Sequence, residues 1–281
     1  MRSANTVAAA RSLLRRAGMP VVLVPTMGAL HHGHAALIRH ARKIATKNGT
    51  VVVSIFVNPL QFGPNEDLTA YPRPRNADRA LCKSLGVDVL FQPTADDIIP
   101  PSASVFADED GSLSATLCGK SRPGHFRGVC TIVAKLFNVI QPQVAVFGEK
   151  DWQQLAIIRR MTRDLDFPIE IVGHPIVRDE DGLAVSSRNG YLSSEERAVA
   201  PRFHASLVSA AKKAPSVAAI RKEAVRRLEK IPGTRIDYVE VMDESSLRPT
   251  RRAGTGTILA AAILLGQTRL IDNLRLTGEA K

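Results

Sequence analysis

Val21-Val-Leu-Val-Pro-Thr-Met-Gly-Ala-Leu-His-His-Gly-His34 reads as strand, glycine turn and helix start in succession. Val21 to Val24 are apolar and mostly β-branched, as in a strand buried on both faces. Pro25 is expected to stop the ladder, and Gly28 and Gly33 permit a tight turn with close backbone approach. From His34 onward Leu37, Ala41, Ile44 and Ala45 recur at helical spacing. A loop tip joined to a helix start points unpaired N–H groups and the positive end of a dipole into one place, which suits a phosphate. His31 and His34 lie three apart and share a face if the turn is helical, each able to donate a hydrogen bond to a phosphate oxygen. The bland alternative is a histidine-rich surface turn. Metal is a further rival through His31, His32 and His34, but no nearby Cys or acid completes a zinc spacing, so no metal ligands are assigned.

Working outward, Val51 to Val57 is a second buried strand one helix later, which makes a βαβ crossover with parallel pairing. Asn58 and Gln61 follow at its carboxyl end, where open α/β sheets hold ligands, and they are candidates to orient a small polar substrate, the even alternative being that Asn58-Pro59 merely starts a turn. Residues 63–74 form a Pro-rich covering loop. A helix over 78–85 leads to a strand at Val87–Phe91, and short strands are expected near Val105-Phe106 and Ala115–Leu117. Gly119-Lys120-Ser121 imitates a P-loop, but the pattern needs glycine where Ser114 stands. Ser121 to Gly128 places cationic and hydrogen-bonding side chains before a helix with Val129, Ile132, Val133, Leu136, Phe137 and Ile140 on one face. Val144–Phe147 then runs into Gly148-Glu149-Lys150-Asp151, a second strand–glycine–helix junction. There Lys150 suits a phosphate, and Asp151 suits either a ribose hydroxyl or a helix cap. Ile169–Val172 is a fifth strand. Beyond it Val177, Gly182 and Ser186 to Gly190 read as a hinge or lid, with Arg188 able to reach an anion. Helical patterns over 194–213 and 216–230 precede strands at 235–242 and 257–264.

This order predicts an α/β fold: a Rossmann-like parallel sheet with helices on both faces over residues 1–177, and a smaller C-terminal α+β lid domain over 178–281. The 281 residues are 44% hydrophobic and 23% charged, ordinary for a globular protein. No apolar run approaches the roughly 18 residues of a membrane helix, so no membrane role is expected. Cys82, Cys118 and Cys130 are odd in number and far apart, which argues for small core fillers in a reducing compartment. Met1 to Gly18 carries arginines and no acid, in imitation of a transit peptide. Val7, Leu13 and Leu14, so close to the first strand, read better as a packed opening helix, and a cytoplasmic location is expected. The net charge is +11, and the first acid is Glu66. With few aromatics and no recognition motif, a basic surface around a polyanionic substrate is preferred over nucleic-acid binding.

Five segments in this order, Pro25–His34, Phe56–Phe62, Arg122–Gly128, Phe147–Gln154 and Gly182–Asn189, resemble the pantothenate synthetase (pantoate–β-alanine ligase) family of the HIGH-type nucleotidyltransferases. His32 stands where that family often has an acidic residue. The resemblance implies ATP along Met27, Gly28, Ala29, Leu30, His31, His32, Gly33 and His34, along Gly148, Glu149, Lys150 and Asp151, and at Val177, Val185, Ser186, Ser187 and Arg188. It implies pantoate on Gln61 and Gln154, β-alanine at Gln61, His34 as proton donor, Mg²⁺ with the nucleotide, and a homodimer. The implied reaction has two steps. Pantoate attacks the α-phosphorus of ATP to give an acyl-adenylate, and the β-alanine amine then displaces AMP. His31, His34, the loop N–H groups, Lys150 and Arg188 are expected to stabilise the spreading negative charge.

Overall fold

The computed structural model describes residues 1–64, 66–214 and 216–276. Its elements, in order, are β1 (Arg2–Ala4), α1 (Val7–Leu14), β2 (Val21–Thr26), α2 (His32–Ala45), β3 (Thr50–Ile55), α3 (Arg75–Ser84), β4 (Val89–Phe91), α4 (Ala95–Ile98), α5 (Leu117–Ser121), α6 (His125–Ile140), β5 (Val144–Gly148), α7 (Trp152–Asp164), β6 (Glu170–His174), α8 (Ser194–Val199), α9 (Arg202–Lys213), α10 (Val217–Leu228), β7 (Thr234–Asp243), β8 (Thr257–Leu265) and β9 (Thr268–Leu276). Among the described residues the expected strands near Val105 and Ala115 are absent; the second region is turn and short helix instead. The predicted helix over 194–213 is two helices, because Pro201 has no N–H with which to continue the first.

Two compact units emerge. The first comprises Met1–Asp110, Arg122–Glu149 and Ile157–Pro175. It holds a six-stranded sheet in the order β1-β4-β3-β2-β5-β6, with every pairing parallel. On one face Val22, Val24, Val51, Val53, Leu90 and Val146 pack against Ile38, Ala41 and Ala45 of α2 and Cys82 of α3. The alternate residues Leu23, Val52 and Ala145 are equally buried, because strand side chains alternate and helix α6 lies against β2. The expectation that Pro25 ends the first strand is corrected: β2 continues to Thr26, with Pro25 opposite Ser54 and Thr26 opposite Ile55. Thr26 bonds toward β3 through its carbonyl. Alternation then turns Pro25 toward β5, where pairing has already ended at Leu23, so the missing donor breaks no ladder bond. From β2 the chain fills β3 and β4 on one side and β5 and β6 on the other. The carboxyl ends of β2 and β5 therefore flank a topological switch point.

The second unit comprises Gly111–Ser121, Lys150–Ala156 and Ile176–Lys281. Its antiparallel sheet, β7-β8-β9, buries Leu259, Ala261, Ile263, Leu270 and Leu276 against Phe203, Leu207 and Ala210 of α9 and Ile220, Ala224 and Leu228 of α10. The unit is discontinuous in sequence for a visible reason. Gln153, only 5% exposed, donates to the carbonyls of Leu113 and Thr116 at 2.8 and 2.7 Å and accepts from Cys118 N at 2.9 Å. The Trp152 indole donates to Glu244 O at 2.8 Å. No helix among the described residues is long and apolar enough to cross a membrane.

Candidate active site

In the first unit the carboxyl ends of β2, β3 and β5 carry Met27–His34, Asn58–Gln61 and Gly148-Glu149. The turn after β2 is left-handed at two successive residues, Gly28 at φ +85° and Ala29 at φ +50°. A Cβ on Gly28 would lie 2.9 Å from the Ile55 side chain and 3.0 Å from Asp78 Oδ2, so both its torsion and its surroundings require glycine. Asp78, 2% exposed, holds this turn from α3: Ala29 N donates to Oδ2 at 3.0 Å and Leu30 N to Oδ1 at 2.7 Å. The expectation that the loop N–H groups meet phosphate is thereby corrected for Ala29 and Leu30, since both are spent on a buried carboxylate.

The turn leads into a pair of imidazoles at the start of α2. His31 is the N-cap of α2, and the His34 ring accepts from the backbone N–H of His31, at 3.4 Å to Nδ1. One histidine thus closes the helix end that the other begins. With Nδ1 an acceptor, the proton of a neutral His34 sits on Nε2. The rings lie 4.0 Å apart. His32 is exposed and His31 and His34 half-buried.

Asn58 was expected to touch substrate, and the structure assigns it another place. It is 2% exposed, and its amide donates to Gly128 O at 3.0 Å and Gln61 Oε1 at 3.1 Å while accepting from Leu60 N at 3.0 Å. Its polar atoms serve the chain, because a buried amide costs free energy unless bonded. Gln61 stays half-buried, with Nε2 3.1 Å from Met27 Sδ. In the 122–128 loop, read as cationic from its composition, Arg122 is already committed, while Arg127 is exposed and lies over the Phe106 ring. Arg122 grips Glu66 through two bonds at 2.7 and 2.6 Å and reaches His125 Nε2 at 3.1 Å and Gln61 O at 3.2 Å. His125 Nδ1 lies 2.9 Å from the same carbonyl. With Arg122 donating to Nε2, the ring's own proton is on Nδ1, so Gln61 receives two donors on its backbone.

In the second unit Lys150 is half-buried, and its ammonium has no ion-pair partner among the described residues. Gln154 is half-buried with its amide likewise uncommitted, and Asp151 is exposed. Val177 and Val185 are paired in a hairpin, Val185 N donating to Val177 O at 3.0 Å. Ser186 Oγ accepts from Arg188 N at 3.2 Å, opening the short turn Ser187–Tyr191. Among the described residues no three His, Cys, Asp or Glu side chains are grouped as metal ligands would be.

Asp78 was missed in the sequence. Its signal was an acid at the 3–4 spacing of Cys82 and Leu85, on the apolar stripe of α3, where a charge needs a buried partner.

A family model described as pantoate-beta-alanine ligase matches residues 1–275. Pantothenate synthetases of Nitratidesulfovibrio vulgaris (strain Miyazaki F) and Geobacter sulfurreducens are 51% and 50% identical, over 94% and 92% of both chains respectively. Among solved structures, a pantothenate synthetase of Thermus thermophilus superimposes with TM-score 0.93 at 46% identity, covering 99% of this chain and 100% of its own. A pantoate-beta-alanine ligase of Francisella tularensis, complexed with beta-gamma ATP and beta-alanine, gives 0.82 at 32% identity over 98% and 97%.

Proposed function

The chain belongs to the pantoate–β-alanine ligase family, and on that premise we infer that it condenses pantoate with β-alanine to pantothenate at the expense of ATP. The observation that carries this reading is the match over residues 1–275. ATP and β-alanine bound to the Francisella relative support the same substrates here.

A carboxylate does not condense with an amine unaided, because its oxygen is a poor leaving group. In the first step a pantoate carboxylate oxygen bonds to the α-phosphorus, and the bond from that phosphorus to pyrophosphate breaks. In the second, the neutral amine of β-alanine attacks the acyl carbon, the bond to AMP breaks, and the amine gives up a proton. The first step needs in-line placement and stabilisation of spreading charge more than covalent help. We assign Met27–His34, Gly148, Glu149, Lys150, Asp151, Val177 and Val185–Arg188 to ATP. His34 Nε2–H, Lys150 and Arg188 are the charge-stabilising donors. Gln61 and Gln154 take pantoate, Gln61 also meets β-alanine, and Asn58 holds Gln61 in place.

Magnesium is assigned to the nucleotide. The described residues offer no all-protein cage, and this ion is ordinarily carried on substrate phosphates, where it neutralises charge. We further propose a homodimer and a cytoplasmic location, the first testable by sedimentation.

The deciding experiment mixes ATP, Mg²⁺ and pantoate without β-alanine and looks for the acyl-adenylate by mass spectrometry. Its absence refutes the two-step reading. AMP release that does not depend on β-alanine would favour a simple nucleotidyltransferase. His34→Ala and Lys150→Ala are each expected to lose about 10²-fold or more in rate, as on removal of an oxyanion donor. Undiminished turnover in either removes that residue from the mechanism.

A further inference from the structure

Strand β9 carries two adjacent buried polar residues, Asp272 at 3% and Asn273 at 6% exposure, between Leu270 and Leu276. Polar groups at this depth are costly unless bonded, and adjacent strand residues face opposite sides of the sheet. Asp272 receives Arg178 through both guanidinium nitrogens, at 2.7 and 2.8 Å, with His204 Nδ1 of α9 3.3 Å away. Burial pushes its carboxyl up, but the close approach of His204 and the hydrogen bonds and charge of Arg178 outweigh this and hold it below the usual carboxylate range. Arg178 also donates to Gly182 O at 3.1 Å and bridges to Ala184 within the hairpin that pairs Val177 with Val185. Asn273 donates from Nδ2 to the backbone carbonyl of Lys150 at 3.1 Å, and its own N–H bonds Asp272 Oδ1 at 2.7 Å. The turn that carries Arg188 packs on β9 as well.

We propose that the Asp272–Asn273 pair is the positioning element for this unit's phosphate-binding side chains, Asn273 acting through Lys150 and Asp272 through the Arg178 hairpin that leads to Arg188. The proposal rests on the assignment of Lys150 and Arg188 to ATP. Lysine is a point charge on a flexible stem, so where its ammonium can reach depends on where its backbone is held. A misplacement of about 1 Å can cost up to about 10²-fold in rate. Neither residue touches a reacting atom.

The test is a double-mutant cycle read by pantoate-dependent ATP–pyrophosphate exchange, with the thermal midpoint measured alongside. Asn273→Ala is expected to slow exchange about 10-fold or more, and Asn273→Ser, which retains a donor, to recover part of that loss. Combined with Lys150→Ala, Asn273→Ala should add nothing further, because the group it positions is gone. Asp272→Asn should behave in the same way toward Arg188→Ala. Independent, multiplying losses, or full activity in Asn273→Ala while Lys150→Ala is impaired, overturn the positioning role and leave the ATP assignment standing. Full activity in Lys150→Ala overturns both. If Asn273→Ala does not fold, the near-isosteric Asn273→Asp, which puts an acceptor against the Lys150 carbonyl, is compared with Asn273→Ser. Equal exchange rates in those two refute the proposal.

Discussion

Replacing Asp78 by asparagine tests whether the turn after β2 is held in shape from below. Each carboxylate oxygen takes one backbone N–H, at 3.0 and 2.7 Å, and hydrogen bonds to a charged partner contribute about 1.5–3 kcal/mol each. Asparagine keeps one acceptor and turns an NH₂ group toward the other N–H, so one bond is lost and a buried donor faces a donor, a cost of about 2–3 kcal/mol. Ala29, left-handed at φ +50°, sits about 1–2 kcal/mol above its relaxed conformation and drives the turn to let go. If the turn relaxes locally, the thermal midpoint changes little and nucleotide binding must rebuild the turn each time. At 1.4 kcal/mol per decade, a cost of about 2–3 kcal/mol is about a 30- to 150-fold rise in KM for ATP, with a smaller change in kcat. Pantoate-dependent ATP–pyrophosphate exchange measures it directly. A KM within about threefold of the parent, in a protein with an unchanged midpoint, would refute the idea that Asp78 sets the nucleotide loop.

Other expectations follow from neighbouring geometry. In Gly128→Ala the new methyl would sit 2.4 Å from the Leu60 carbonyl, forcing α6 from the Asn58–Gln61 turn at about 1–3 kcal/mol. KM for pantoate should rise more than KM for ATP, and equal changes would contradict the assignment of Gln61. Burial, then the charge of Asp78, pushes the Cys82 thiol to about 12, and burial with Asp108 and Glu109 does the same for Cys130. Neither should react with a disulfide reagent at pH 8 until the protein unfolds, as peptide mapping would show. Asp243 accepts from the backbone N–H and hydroxyl groups of Ser246 and Ser245, which holds its carboxyl at about 2. A depressed carboxyl stabilises above its unfolded value near 4 and loses that contribution as pH falls toward about 2. Asp243→Asn should therefore lower the thermal midpoint by a few degrees at pH 7, a difference that shrinks through this window in melting curves. A constant difference would refute the linkage.

The sheet was legible where local pattern and burial coincide. Val21–Val24 and Val144–Phe147 are apolar runs bounded by turn residues, and the helices after them carry their apolar positions on one face. Arg2–Ala4 was invisible because three residues at a sheet edge have no periodicity to read; only pairing with β4 makes them a strand. β9 was hidden for the opposite reason, since its Asp272-Asn273 breaks the alternation that marks a strand. Around the candidate site, the turn at Gly28 and the nearness of the His31 and His34 rings could be read from spacing and residue type. What could not be read was which groups are already spoken for. Asn58 and Arg122 carry the chemistry of ligand contacts, yet their partners Gly128 and Glu66 lie 70 and 56 residues away. Spacing along the chain reports what a side chain is able to do, and only folding decides with whom.

The bond from the His31 amide to the His34 ring has a consequence for what a mutational library would tolerate at position 34. Acidic residues would close the helix end but repel a nucleotide, while lysine or arginine would welcome it and leave the backbone amide unanswered. Survivors should be confined to side chains that accept at one atom and donate at another, such as asparagine or glutamine. An unbiased spectrum of survivors would mean the helix end and the nucleotide make no joint demand on this ring.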